Sequence, residues 1–182
     1  MKRILLIIVF ILIENNAFAS AKENIINKLK DIENISFNFE QNINSKIENG
    51  DCTIEYPKKI YCKYDQGNNK ILVSNGNSLV IKTISSYYIY PLKKTPLYFI
   101  LDKNYLVKKI SNLKERNIEQ KFINFNFEEN ENQINLFFDQ KTFNLVGWQT
   151  IDIYQNISIT YLSSIRRNQK LKEDLFLLPK QN

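Results

Sequence analysis

The chain has 182 residues, a formal net charge of +6 and no histidine. The missing histidine excludes Ser-His-Asp and Cys-His catalysis and removes the commonest zinc ligand. The four glycines form no phosphate-binding pattern. Basic residues are scattered except in residues 166–172, and no RNA-binding signature is present. We therefore expect a protein that is not an enzyme, needs no cofactor or metal, and binds no nucleic acid.

The first 19 residues are typical of a signal peptide for Sec-dependent export. A positively charged start precedes a ten-residue apolar run, residues 4–13, and Ala17 and Ala19 supply the small residues of a cleavage site. The run is short for a membrane-spanning helix, which needs about 20 residues. A bacterial lipoprotein would carry cysteine directly after the cleavage site, where this chain has Ser20. We predict cleavage after Ala19 and an exported protein without a lipid anchor; an uncleaved membrane anchor is the alternative.

The chain after the signal begins with a helix and a strand. Residues 22–34 (KENIINKLKDIEN) are predicted to form an amphipathic helix, because isoleucine and leucine recur on one face. In the next segment Ile35, Phe37 and Phe39 alternate with polar residues, which indicates a half-buried strand.

Residues 50–83 contain four short alternating segments separated by turn-forming residues, which predicts a meander of antiparallel strands. In the first two segments one face carries Cys52, Ile54 and Tyr56, then Ile60, Cys62 and Tyr64. A hairpin would place the two cysteines opposite or diagonal to each other. In an oxidising compartment they either form a disulfide or remain buried thiols, and the residues leave both open.

A further strand is predicted in residues 86–92, and residues 93–104 then change character. Thr95 suits a helix N-cap and Pro96 the first helical position, and the apolar residues that follow predict one short helix stopped by residues 102–104. Such a helix is either a plug for the core or a movable lid over the apolar face of the sheet.

The second half of the chain repeats the strand pattern. Strands are predicted in residues 118–128, 134–138, 145–154 and 157–161, with Ile157, Ile159 and Tyr161 on the apolar face of the last, and residues 174–179 form a closing segment. About ten strands and two short helices make one domain over residues 20–182. A twisted antiparallel sheet of this size curls. Because two helices supply few side chains to fill its concave face, part of that face is expected to hold a ligand.

Five segments, in order, resemble the periplasmic outer-membrane lipoprotein carrier (LolA) family. Residues 71–79 (ILVSNGNSL) are similar to its L-I-V-S-D-G-K-T-L motif. Residues 35–41 resemble its S-x-x-F-x-Q motif, and residues 50–64 its G-x-L-x-x-x-R-P-x-x-x-x-W-x-Y motif. Residues 95–102 resemble its T-P-x-x-L-L-L motif, and residues 175–179 its F-x-F-x-P motif.

The resemblance implies a mainly β (α+β) fold: a single, highly curved antiparallel sheet forming an open, unclosed β-barrel covered by short helices. It implies a monomeric periplasmic carrier that binds the acyl chains of lipoproteins. Its partners would be acylated lipoproteins, an ATP-driven release complex in the inner membrane and a receptor lipoprotein on the outer membrane. That receptor has a similar fold but a lipid-anchored cysteine, so Ser20 favours the carrier.

The resemblance also suggests the residues of the site. An arginine that holds the lid shut in the family is replaced here by Tyr56, which becomes the lid-latch position. Cys52 and Cys62 stand where the family has an apolar residue and a tryptophan. We expect the lipid-binding cavity to be lined by apolar side chains of the sheet and the lid: Phe37, Phe39, Ile54, Ile60, Leu72, Leu79, Ile81, Leu97, Phe99 and Ile100.

Three other functions are compatible with parts of the sequence. A protein of the same fold could carry another lipid or act as an envelope sensor, and the sequence does not separate these from a lipoprotein carrier. A small outer-membrane barrel is disfavoured by short strands interrupted by helical segments. A hydrolase would have Asp51, Glu55 and Asp152 as carboxylates, but nothing pairs them.

Overall fold

The computed structural model describes residues 20–151 and 155–181. The predicted signal peptide and its cleavage site therefore lie outside the described residues. Within them, no helix is both long enough and apolar enough to cross a membrane.

The described residues form one antiparallel sheet of eleven strands. Its strands are β1 Asn34–Ile43, β2 Lys46–Glu55, β3 Lys59–Tyr64, β4 Ile71–Asn75, β5 Ser78–Lys82, β6 Tyr87–Pro91, β7 Arg116–Ile118, β8 Phe122–Glu129, β9 Asn132–Asp139, β10 Leu145–Ile151 and β11 Ile157–Arg167. The order across the sheet is β6-β5-β4-β3-β2-β1-β11-β10-β9-β8-β7. Strands β6 and β7 are consecutive in the chain, yet they form the two opposite edges. The prediction of an open, unclosed antiparallel sheet is confirmed.

A helix lies at the start of the described chain. Helix α1, Ala21–Asp31, begins with a reciprocal cap: the Ser20 hydroxyl accepts from the Glu23 N–H at 3.2 Å, and the Glu23 carboxylate accepts from the Ser20 N–H at 3.1 Å. The helix buries Ile25 and Leu29 against the concave side of the sheet and against the helix Lys103–Ser111.

The segment between the two edge strands is helical and covers the concave face instead of closing the barrel. It contains a 3₁₀ turn at Leu92–Lys94, α2 at Leu97–Ile100 and α3 at Lys103–Ser111. We expected a single helix stopped by residues 102–104, and this was wrong. The Asp102 side chain accepts from the Tyr105 N–H at 3.1 Å and so begins a further helix.

The main core fills the concave side. Phe125 and Phe138 meet edge to face at 5.9 Å, and both are fully buried beside Leu136 and the α3 residues Leu106 and Ile110. Burying this much apolar surface in one contiguous cluster provides the main favourable free energy of folding.

The C-terminal tail crosses the opposite, convex face. Val73 and Val80 face each other in adjacent strands on that side and are nevertheless buried. On the same face the Lys59 ammonium lies 5.7 Å from the centre of the Phe176 ring, and the Lys82 ammonium donates to the Lys180 carbonyl oxygen. These contacts seat the tail over the two valines.

Strand β11 turns its polar side to the concave face, opposite to our expectation. Thr160 pairs with Gln41 of β1 and is 3% exposed, whereas Ile157 and Tyr161 are 43% and 51% exposed. The register with β1 decides this orientation, because successive side chains of a strand point to opposite faces.

Candidate functional site

A cavity of about 200 Å³ lies between the concave face of the sheet and the start of α2. Strands β1 to β4, β10 and β11 supply its floor, and Thr95, Pro96 and Leu97 supply its roof. Every side chain that lines it is uncharged. A ligand enclosed there would leave water without meeting a compensating ion, so the cavity suits a neutral or apolar group.

One wall of the cavity is apolar. Ile60 and Leu72 project from neighbouring strands toward Leu97 of the roof, and Phe39 and Trp148 flank them. The Phe39 ring meets the Tyr64 ring edge to face at 5.0 Å, and this packing holds Phe39 against the cavity.

A disulfide bond forms part of the apolar wall of the cavity. Cys52 and Cys62 are directly opposite each other in β2 and β3, and their sulfur atoms are bonded. Their side chains line the cavity, so the covalent link lies in its surface and ties two of its strands together.

The other wall of the cavity is polar. The Gln41 side-chain amide donates to Ser158 Oγ and to Thr160 Oγ1, each at 3.2 Å, and its oxygen accepts from the Tyr64 hydroxyl at 3.3 Å. Thr150 lies beside these groups in the lining. The cavity therefore has an apolar and a hydroxyl-bearing side.

The turn between β2 and β3 is attached to the helical cover through Lys58. Its backbone N–H donates to the Leu101 carbonyl oxygen at 2.7 Å, and its ammonium lies 3.3 Å from an Asp102 carboxylate oxygen and 4.0 Å from the centre of the Tyr98 ring. Hydrogen bonding to Tyr98, and then to Asp102, raises the pKa of Lys58 above its usual value, although burial acts in the opposite direction.

A charged groove of about 530 Å³ adjoins the cavity at Tyr64, which lines both. Glu48 in this groove is 5% exposed, and its carboxylate pairs with the ammonium groups of Lys46, at 2.9 Å, and Lys70, at 2.5 Å. Burial acts to raise the pKa of Glu48, but hydrogen bonds and attraction from the two lysines outweigh it, so the net pKa lies below the usual value. The groove thus brings fixed charges to one side of an uncharged cavity.

The family model for the outer membrane lipoprotein carrier protein LolA matches residues 30–179. The chain belongs to the LolA family. An outer-membrane lipoprotein carrier protein of Francisella tularensis subsp. novicida is 28% identical over 123 residues, which are 57% of each chain, and one of Francisella philomiragia is 29% identical over 124 residues with the same coverage. The chain thus spans 57% of the length of the curated relatives that it matches.

Solved structures share the fold of this chain. A chain from the complex structure of Pseudomonas aeruginosa MucA/MucB has a TM-score of 0.50 at 12% identity, covering 88% of this chain and 62% of that one. An uncharacterized conserved protein from Thermus thermophilus also has a TM-score of 0.50, at 8% identity, covering 89% of this chain and 96% of that one. At these identities the likeness concerns the fold alone.

The structure divides the ten expected lining residues of the LolA cavity into three groups. Phe39, Ile60, Leu72 and Leu97 line the cavity. Ile81 lines the neighbouring charged groove instead. The remaining five lie in the buried core cluster: Phe37, Ile54, Leu79, Phe99 and Ile100.

Tyr56, at the position of the LolA-family arginine, is buried in the core cluster. Burial raises the pKa of its hydroxyl well above the usual value. Its backbone N–H donates to the Glu33 carbonyl oxygen, but its hydroxyl has no hydrogen-bond partner within the described part of the chain. The latch role of Tyr56 stays a prediction, and at this turn the polar contacts to the cover come from the neighbouring Lys58.

Sequence reasoning missed the polar wall and Trp148. The alternation Ile35, Phe37, Phe39 continues to Gln41, and this step is the signal that could have placed a polar side chain on the concave face. For Ser158 and Thr160 the pattern was misleading, because the apolar residues that alternate with them, such as Ile157 and Tyr161, lie on the convex side.

Proposed function

We propose that this protein is a periplasmic carrier that holds the acyl chains of lipoproteins and takes them from the inner membrane to the outer membrane. The observation that supports it most is the uncharged cavity roofed by residues 95–97 within a LolA-family fold. We further propose that it is not an enzyme, that it receives cargo from an ATP-driven inner-membrane complex, and that it delivers cargo to an outer-membrane receptor lipoprotein.

The physical need for such a carrier follows from acyl-chain hydration. Each methylene removed from water contributes about 0.8 kcal/mol, so a chain of roughly fifteen carbons exposes on the order of 12 kcal/mol of unfavourable surface. A free lipoprotein therefore partitions back into a membrane instead of crossing an aqueous compartment. A protein that covers the acyl chain allows it to cross the aqueous compartment. If the protein binds the chain weakly enough, it can also release it at the second membrane.

The size of the cavity implies that its roof moves during loading. About 200 Å³ is below the roughly 300 Å³ at which pockets for drug-sized ligands begin, and an acyl chain needs a comparable space. Because α2 has four residues and is attached to the sheet by few polar contacts, displacing residues 95–100 would enlarge the cavity toward the concave face. The closed cavity would then be the empty form of the carrier.

The test is co-purification from a periplasm. The chain is expressed with its export signal, isolated without detergent, and analysed by mass spectrometry for bound lipids. Acylated lipoproteins at near-stoichiometric levels would support the proposal. A bound phospholipid or another amphiphile would show that the cargo is that lipid and not a lipoprotein. A protein without bound lipid would contradict the carrier function.

A matched pair of variants links any bound lipid to the cavity. Leu97→Gln places an amide in the roof, whereas Leu177→Gln makes the same change at a side chain that is 71% exposed in the tail. We expect the first variant to lose cargo and the second to retain it, with both showing the circular dichroism of the parent. Equal loss in both variants would argue against the cavity as the binding site.

A further inference from the structure

The polar wall of the cavity has hydrogen-bond donors that the protein does not use. The Gln41 amide supplies both of its N–H groups to Ser158 and Thr160, so these two hydroxyls act as acceptors toward Gln41. Each hydroxyl still carries one hydrogen to donate. Thr150, in the same wall, makes no side-chain hydrogen bond within the described part of the chain.

These three hydroxyls form a positioned set. We define the hydroxyl wall as Thr150, Ser158 and Thr160. Gln41 holds Ser158 and Thr160 in place by its two hydrogen bonds, and Thr150 lies opposite Ser158 in the neighbouring strand. Thr160 is 3% exposed, and the Tyr64 hydroxyl fixes the other end of the Gln41 amide at 3.3 Å. Because their oxygen atoms are already hydrogen-bonded to Gln41, the hydroxyls of Ser158 and Thr160 keep their hydrogens available for a ligand in the cavity.

We propose that the hydroxyl wall binds the ester carbonyl through which an acyl chain is attached to its lipid, while the chain lies against Ile60, Leu72 and Leu97. The inference rests on the proposed function for the identity of the cargo as an acylated molecule. It adds that the cavity recognises the ester group at the head of the acyl chain as well as the chain itself.

The chemistry of the wall selects this group over others. An ester carbonyl has acceptor oxygens and no donor, which complements hydroxyls that have hydrogens to give. A free carboxylate or a phosphate would be buried among uncharged lining residues without a counter-ion, and this is costly. A plain hydrocarbon would leave the hydroxyl hydrogens unpaired once it displaced water.

The experiment compares an ester with an ether, because an ether lacks the carbonyl oxygen. The ligands are a cysteinyl peptide carrying a short-chain S-(2,3-diacyloxypropyl) group and its dialkyl ether counterpart. Binding is followed by the fluorescence of Trp148, the single tryptophan of the sequence, which lines the cavity. A short-chain phosphatidylcholine and its ether analogue, measured in parallel, show whether the preferred ester comes from a lipoprotein or a phospholipid.

Two variants remove hydroxyls with little change of shape. Thr150→Val and Ser158→Ala act in the half-buried part of the wall, and Ser163→Ala makes the same change on the outward side of β11 as a control. We expect the parent and Ser163→Ala to bind the ester about two- to tenfold more tightly than the ether, the range for one net hydrogen bond. In Thr150→Val and Ser158→Ala this ratio should fall toward one, while ether binding stays unchanged.

The outcomes separate this proposal from the proposed function. If ester and ether bind the parent equally, or if the preference survives in the double variant Thr150→Val/Ser158→Ala, the hydroxyl wall does not bind the ester carbonyl, although the protein still binds acyl chains. If neither ligand binds the parent, acyl carriage fails and the linkage proposal fails with it.

Discussion

The Lys58 ammonium lies 4.0 Å from the centre of the Tyr98 ring, and this contact connects the β2–β3 turn to the helical cover of the cavity. The same ammonium pairs with Asp102, the residue that caps α3. One side chain therefore holds both α2 and the start of α3 to the sheet. Any opening of the cavity that displaces α2 must break or stretch these contacts.

Replacing Lys58 should accelerate release of bound lipid. Lys58→Met keeps the apolar stem and the backbone hydrogen bond but removes the ion pair and the cation–π contact, which together contribute about 1–2 kcal/mol. We expect release to become about five- to thirtyfold faster, measured by Trp148 fluorescence after mixing with excess vesicles.

Two neighbouring variants are compared with Lys58→Met. Lys59→Met removes a lysine that pairs with Glu55 within the hairpin, and Tyr56→Phe removes a hydroxyl without a described partner. Lys59→Met should release lipid at the parental rate, whereas the predicted latch role of Tyr56 would make release faster in Tyr56→Phe. A parental rate in Lys58→Met would show that its polar contacts do not hold the cover, and a parental rate in Tyr56→Phe would contradict the latch role of Tyr56.

Stability should depend on pH through Glu48. Its folded-state pKa lies below the unfolded value, so its contribution is fully present above the unfolded pKa of about 4.3 and is lost as the pH falls through the folded pKa. Glu48→Gln should lower the free energy of unfolding at neutral pH by about 1–3 kcal/mol and flatten its decline in acid.

Urea unfolding between neutral and acidic pH measures the Glu48 effect. Glu40→Gln, at an exposed position of β1, is the matched control and should keep the parental pH dependence. If the Glu48 variant declines in acid as steeply as the parent, its pairing with Lys46 and Lys70 does not stabilise the fold.

Breaking the disulfide should destabilise the cavity wall. The bridge joins residues that are 10 positions apart, for which the loss of unfolded-state entropy corresponds to about 2–3 kcal/mol. A reductant should lower the stability of the parent in urea by that amount. The double variant Cys52→Ala/Cys62→Ala should have the lower urea midpoint with or without reductant. If complete reduction leaves the urea midpoint of the parent unchanged, the prediction is contradicted.

Gly50 is required by the close approach of its neighbours. A Cβ atom there would lie 2.1 Å from the Lys63 carbonyl oxygen and 2.9 Å from Cε1 of Phe39, a cavity residue. Gly50→Ala should therefore cost about 1–3 kcal/mol and weaken lipid binding by displacing Phe39. Gly67→Ala, where a Cβ atom meets nothing within 4 Å, should match the parent in thermal unfolding and in binding; equal effects at both glycines would refute the steric explanation.

Local patterns predicted much of the fold because strand periodicity is a short-range property. The alternation in residues 50–64 predicted the hairpin and put both cysteines on one face, and the structure adds the register that sets them directly opposite. Helix α3 was missed because Asp102 both interrupts an apolar run and caps the next helix, and only the second role is visible in the folded chain.

The order of residue types specifies the strand-rich fold, the cysteine pair, the short helical cover and the family. Which face of each strand lies toward the cavity is set by the pairing of strands that are distant in the chain. Gln41 and Thr160 are 119 positions apart, and their hydrogen bond exists because β1 pairs with β11 in one particular register. Periodicity states that side chains alternate, but it cannot state which face is buried when both carry apolar residues, and so the polar wall appears only once the strands are paired.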